Sequence, residues 1–263
     1  MKYQIDNDLH IHSKLSYCSL NEKQSKENIL KYAKENGLKT ICVADHFWDE
    51  KVDGAFKDYK FQNFPHISEI KPLPQAEGIR FLFGCETELD KNLTLGLSKE
   101  RYDEFDFIVI PTTHFHMKDY TISSEEYDDL CARINAWVKR IDAVLSMDLP
   151  FHKVGLAHLV CPLINRDRKE YLKTLENIPE KEMERLFTKA AKLGVGIELN
   201  QDMNFTDEEE EIILRPFKIA KKCGCKFYLG SDAHHPEGFD GVIEIFEKIT
   251  ESLGLSEEDK FII

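Results

Sequence analysis

The chain has 263 residues, with 48 acidic against 35 basic side chains and a formal charge of −13. That balance argues against long nucleic acid as a partner, because such binding draws on Lys/Arg–phosphate contacts. No stretch reaches the roughly eighteen consecutive apolar residues of a membrane-spanning helix, and Met1–Asp8 lacks the apolar run of a signal peptide. The seven cysteines are odd in number, and Cys42 and Cys85 lie inside apolar runs, so free thiols in a cytoplasmic protein are expected.

In chain order, the first apolar run, Ile5–His10, reads as a strand and leads through Asp8-Leu-His10 to His12. A helix is predicted over Ser25–Asn36, with Ile29, Leu30 and Ala33 on one side and Gly37 as its stop. Strands at Thr40–Asp45, Ile79–Gly84 and Phe105–Ile110 run into His46, Glu86 and His114 respectively. Ser124–Met147 reads as one long helix, and the strand Lys153–His158 follows it. A helix over Pro179–Leu193 stops before Gly194, and the strand Val195–Leu199 leads to Asn200. Thr206 and the acids after it open a helix over Asp207–Cys223, with a kink expected at Pro216. Last come the strand Phe227–Gly230, the segment Ser231-Asp232-Ala-His234-His235-Pro236, and a helix over Gly241–Leu253. Cys223-Gly-Cys225 is too tight for the usual zinc spacing. With no repeat, low-complexity tract or linker between these elements, a single domain over 1–263 is expected.

Seven strands alternating with helical segments fit either an open doubly wound sheet or a closed barrel. The polar residues separate the two. Imidazoles and carboxylates stand at the C-terminal ends of all seven strands, and only a ring of strands brings all seven ends to one place. An α/β barrel with its site on the C-terminal rim is therefore expected.

His10 and His12 are two apart, so on an extended segment both rings face one ion. Asp232 and His234 repeat the spacing as the chain leaves its strand. Mixed imidazole and carboxylate ligands suit Zn, Mn or Fe better than an all-oxygen Mg or Ca site. The set exceeds the needs of one ion, and Glu86, on the third strand, is placed to bridge two. Burying such groups without metal would leave unpaired charge. Any one histidine here would read as an ordinary strand-end polar group; His66, His116 and His152 carry no partner pattern, and His235 reads as following His234 on the outward side.

The same residues give the chain its resemblance to a known family. Asp8-Leu-His10-Ile-His12-Ser13, Ala44-Asp45-His46, Gly84-Cys85-Glu86, His114, Ala157-His158, Glu198-Leu-Asn200 and Ser231–Pro236 resemble, in order and spacing, the motifs of the polymerase and histidinol phosphatase (PHP) superfamily. The resemblance implies a distorted seven-stranded (βα)7 TIM-like barrel that holds up to three ions and hydrolyses phosphoesters. By that similarity His10, His12, Glu86 and Asp232 hold the first ion, Glu86, His114 and His158 the second, and His46 and His234 contribute to the third. Glu198 and Asn200 fall to the rim, where they can orient a ligand. The length resembles the stand-alone histidinol-phosphatase branch. One departure is Cys18, which stands where that branch carries a further histidine six residues after the second of the pair; a thiolate there would be a good zinc ligand.

The reaction expected is hydrolysis of a small phosphorylated substrate by two or three divalent ions, with a metal-activated water and no covalent intermediate. Strand-end placement makes Asp45 and His234 candidates to protonate the leaving alkoxide. Arg166 and Arg168, in the loop after His158, are candidates to hold a substrate phosphate oxygen bidentately. Three rival classes use related sites: a phosphodiesterase or exonuclease acting on short nucleic acid, a barrel hydrolase of C–N bonds, and a non-catalytic metal-binding barrel. No lysine stands at a strand end to serve the second.

Overall fold

The structure, a computed structural model, describes residues 1–203 and 205–263. Its seven strands are β1 (Asn7–Ile11), β2 (Thr40–Phe47), β3 (Arg80–Thr87), β4 (Phe107–Pro111), β5 (Val154–Ala157), β6 (Gly196–Asn200) and β7 (Lys226–Gly230). They form one sheet in sequence order, every neighbouring pair parallel.

The sheet curls into a nearly closed barrel. Its last seam, between β7 and β1, is joined largely by side chains: Leu229 N donates to Asn7 Oδ1 at 3.1 Å and Ser231 N to Asp8 Oδ1 at 3.0 Å. Past the strand ends the backbone takes over, with Asp232 N donating to His10 O at 2.7 Å and His12 N to Ala233 O at 3.1 Å.

Period-two alternation sorts the strands' side chains. Cys42, Ala44, Leu82, Phe107, Val109, Ala157 and Tyr228 fill the barrel interior with Phe261, while Ile41, Val43, Phe83, Cys85, Ile108 and Ile110 pack outward against the surrounding elements. Phe107 and Tyr228 meet edge to face at 5.1 Å. The pairing of β1 with β2 slips by one residue between Asp8 and Ile11, so Leu9 fills the interior while His10 still turns to the rim.

The helices are α1 (Lys26–Glu35), α2 (Phe64–Ile67), α3 (Ser124–Asp128), α4 (Leu130–Val144), α5 (Arg168–Asn177), α6 (Glu180–Leu193), α7 (Glu210–Lys222) and α8 (Val242–Ser252). Only short turns cover the barrel between β2 and β4, which is where the alternation of strand and helix breaks down. The single helix predicted over Ser124–Met147 is two. Asp129 adopts an extended backbone and its carboxylate caps Ala132 N, ending α3 and starting α4. α5 was not expected, because its sequence is mostly polar and only Tyr171, Thr174 and Leu175 are buried. α7 runs on through Pro216. No helix among the described residues is long and apolar enough to cross a membrane.

Candidate metal centre

Eight of the nine expected metal-ligating side chains converge at the C-terminal rim of the barrel. On β2 the interior residues 42, 44 and 46 end with His46, which pairs in register with Glu86 of β3. Glu86 is 1 % exposed and stands at the centre of the group. Its oxygens lie 2.7 Å from His46 Nδ1 and 3.5, 3.6, 3.4 and 4.0 Å from Nε2 of His12, His10, His158 and His114. Asp232 closes the ring from β7, with its oxygens 3.0 Å from His12 and 3.5 Å from both His10 and His158. His12 stacks on His234 at 4.1 Å.

Four overlapping triads have ligand atoms within 4.8 Å of one another: His10, His12 and Glu86; His10, His158 and Asp232; Glu86, His114 and His158; and His12, His46 and His234. His158 and Asp232 hold left-handed backbones, at φ +59° and +53°, which non-glycine residues seldom adopt.

The rings are aimed from behind. His10 Nδ1 bonds Glu198 Oε1 at 2.6 Å and His114 Nδ1 bonds Glu88 Oε2 at 2.8 Å. His12 Nδ1 meets Ser16 Oγ at 2.8 Å, and that hydroxyl donates to Asp45 Oδ1 at 2.8 Å. His234 Nδ1 reaches the Asp232 carbonyl at 2.7 Å. With each Nδ1 donating its proton outward, four Nε2 lone pairs are left for the centre.

The electrostatics are those of ligands without an ion. Burial pushes the His10 imidazole down, but Glu198, Asp232 and Glu86 more than offset it and raise its pKa to about 10. Burial raises the Glu86 carboxyl, yet His46 and His10 hold it well below the usual carboxylate range. Burial, with His234 and His46 beside it, holds His12 well below an ordinary histidine. Neither oxygen of Glu86 nor Nε2 of His158 has a hydrogen-bond partner among the described residues, although all three atoms are buried. Orphaned lone pairs aimed at one another cost free energy as they stand, and divalent cations would satisfy them. The donor set, imidazole with shared carboxylate, fits Zn, Mn or Fe.

The other expected residues fall differently. Cys18 stands beside His46 and His234 at the wall of the pocket; burial raises its thiol, but those imidazoles outweigh it and bring the pKa to about 7. Its sulfur lies outside the four triads, and the imidazole that joins His46 and His234 is His12. Asp45 does not reach the pocket. Strand alternation turns it to the face opposite His46, where Ser13 N and Ser13 Oγ donate to it at 2.6 Å and Ser16 Oγ at 2.8 Å. Its structure suits holding the His12 loop, not proton transfer.

Glu198 Oε2 accepts from His158 N at 3.0 Å and from Asn200 Nδ2 at 3.2 Å, which ties both rim residues to two ligands. Arg168 spends the fork expected for a substrate oxygen on Glu209, at 2.9 and 2.6 Å. Arg166 is exposed; burial and His114 hold the His116 imidazole down to about 3, with a lesser push from Arg166.

Several participants carried no motif. Glu88 follows Glu86 by two, the spacing that put both on one face. Tyr17, Tyr59, His116, Met117 and Leu163 complete a pocket of about 150 Å³ over Glu86, Asp232 and His234. Gln62 ties the wall together, donating to Leu15 O at 3.1 Å and accepting from Tyr17 N at 3.2 Å.

Comparison with known proteins agrees with this geometry. The PHP domain family matches residues 8–202. A "probable phosphatase" of Caldicellulosiruptor saccharolyticus is 24% identical over 210 residues, 79% of this chain and 72% of that protein. The histidinol phosphate phosphatase of Lactococcus lactis, solved with zinc, L-histidinol and phosphate, superposes with a TM-score of 0.60 at 15% identity, covering 98% of this chain and 99% of that one. The putative histidinol phosphatase of Listeria monocytogenes gives 0.62 at 12% identity, over 89% and 97%. These two likenesses concern the fold. The family match spans most of the chain and all but the β7 part of the ligand ring, and the chain belongs to the PHP domain family.

Proposed function

We propose that this PHP-family phosphoesterase is a phosphatase that hydrolyses a small phosphomonoester, using two or three divalent ions, of zinc, manganese or iron, held on the rim. The observation that carries the reading is Glu86, whose buried oxygens have no hydrogen-bond partner among the described residues and are ringed by five imidazoles. His10, His12, Glu86 and Asp232 would hold one ion, Glu86, His114 and His158 a second, and His12, His46 and His234, with Cys18 alongside, a third. Bound there, the metal supplies Lewis acidity toward the phosphoryl oxygens and a water acidic enough to attack at neutral pH.

The chain's own residues do the rest. Glu198, Glu88 and the Ser16–Asp45 pair fix the imidazoles before substrate arrives, so little reorganisation is left for the reaction. Tyr17, Tyr59, Met117 and Leu163 narrow the approach to about 150 Å³, room for a phosphoryl group and a small alcohol. Only where the third position is left without an ion is His234, pinned through Nδ1 with Nε2 toward the pocket, free to protonate the departing alkoxide. Arg166, exposed nearby, is the remaining candidate for a phosphate oxygen. Reduced thiols, all seven of them free, suit a cytoplasmic setting.

The test is a panel of phosphomonoesters and phosphodiesters with metal-stripped protein and added Zn, Mn, Fe or Mg. Metal-dependent phosphate release from monoesters is expected, reduced at least about a hundredfold in His12→Ala. Faster turnover of diesters or single-stranded oligonucleotides would replace the monoesterase with an exonuclease.

A further inference from the structure

We propose that the two ion positions sharing Glu86 are unequal by construction: the one completed by His114 and His158 is labile, because Glu88, which orients His114, divides its charge with a buried arginine. The inference rests on the metal-centre reading above and assigns its loading order.

Glu88 is fully buried at the end of β3. Its Oε2 takes His114 Nδ1 at 2.8 Å, while Oε1 receives Arg140 from α4 at 3.3 Å and Leu89 N at 3.0 Å. Arg140 is 2 % exposed and cannot swing away. It also donates to the carbonyls of Leu89 at 2.7 Å, Asp90 at 3.1 Å, Thr112 at 2.9 Å and Thr121 at 2.7 Å. A carboxylate behind an imidazole makes the ring a stronger ligand. A guanidinium fixed on the same carboxylate draws on the same charge and weakens that effect.

The position completed by His10 and His12 has no such competitor. Glu198 approaches His10 more closely, at 2.6 Å, and its other oxygen meets only neutral donors, His158 N and Asn200 Nδ2. His12 is supported by the Ser16–Asp45 pair. His158 is backed by no more than the neighbouring Cys161 thiol, a weak partner, and its Nδ1 makes no hydrogen bond among the described residues. One position thus has two well-supported imidazoles; the other has one tempered and one nearly bare. Metal supply would then set the active fraction through the labile position, while the first ion stays bound.

Zinc-loaded protein is titrated with chelators of graded affinity, and released zinc is followed with a colorimetric indicator. The wild type should release the two ions in steps at least about tenfold apart in affinity. Glu88→Gln keeps an acceptor for His114 and removes the charge, so the weaker step should weaken by a further factor of about 10 to 100 with the tighter step unmoved. Glu198→Gln should move the tighter step most, through His10, with a smaller effect on the weaker one through His158 N. A step from His12, His46 and His234 should be indifferent to both substitutions. Melting of the metal-free variants separates a folding defect from a binding one, and the wild-type titration stands without any variant. Release of both ions at one affinity, or a shift of the tighter step in Glu88→Gln, overturns the inference alone. Absence of zinc binding overturns the metal-centre reading and the inference together.

Discussion

Gly230→Ala bears directly on how tightly the centre is built. Gly230 lies on β7 with a backbone that alanine adopts freely, so the consequence is steric. A Cβ there would overlap Glu198 Oε1 and stand 2.9 Å from His10 Cβ. Glu198 has no slack, since the same oxygen holds His10 Nδ1 at 2.6 Å from the other side. Overpacking of this kind costs about 1–3 kcal/mol. At roughly 2–4 °C per kcal/mol for a chain of this size, the metal-free protein should melt about 2–12 °C lower. Displacing Glu198 should also cost about tenfold or more in zinc affinity, read by chelator competition. Because the clash runs through Glu198, Glu198→Ala should cost less in the Gly230→Ala background than alone, with a coupling of about 1 kcal/mol or more in a double-mutant cycle. Gly155→Ala is the control: its Cβ would stand 2.5 Å from the Tyr228 ring, so it should lower Tm with little change in zinc affinity. An unchanged melting point and zinc affinity in Gly230→Ala, or equal loss of zinc in Gly155→Ala, would refute the reasoning.

Glu86→Gln should lose more than one metal equivalent on dialysis, measured by elemental analysis, because on the proposed reading one carboxylate would serve two ions; loss of a single equivalent means that Glu86 does not bridge. Cobalt-substituted wild type should show a thiolate charge-transfer band in the near ultraviolet that disappears in Cys18→Ala. A fully loaded protein without that band leaves Cys18 outside the coordination sphere. Asp8 gives a pH effect of definite sign. Burial raises its carboxyl from 3.8 to about 6, against hydrogen bonds from Ser231 and His10 that lower it. Between those pH values the folded state binds more proton than the unfolded one, so stability is lost as pH rises, by up to about 3 kcal/mol from this group. Asp8→Asn should flatten that slope in urea midpoints of metal-free protein taken from pH 4 to 7, and an unchanged slope would assign it to other groups.

The strands and their order were legible because unbroken apolar runs such as Phe107-Ile-Val-Ile110 occur where both faces of a parallel sheet are covered. The cluster of candidate ligands at the rim was legible because the strands end in imidazoles or carboxylates. What escaped were effects of facing and of tertiary partners. Asp45 precedes His46 and so looked like a second rim group, yet alternation along β2 turns it outward to Ser13 and Ser16. Arg168 read as a candidate for a substrate phosphate oxygen, but it pairs with Glu209, forty-one residues later. Glu88 and Arg140 lie fifty-two residues apart, and no local pattern announces that they meet. Asp129 broke the predicted long helix through a single capping side chain, a signal that competes poorly with the apolar periodicity on both sides of it.

The seam between β7 and β1 makes the metal ring a clasp. The hydrogen bonds that join Asp232 to His10 and His12 to Ala233 belong to the same few residues that supply ligands, so parting the barrel would pull Asp232 away from both histidines at once. Ions that bind only the joined form must favour joining by the same free energy with which joining favours them. Removing the ions would take that support from this edge, and hydrogen exchange at the Asp232 and His12 amides would report it. Ions bound at the rim would fasten that edge, and closing the barrel would then be coupled to completing the candidate centre.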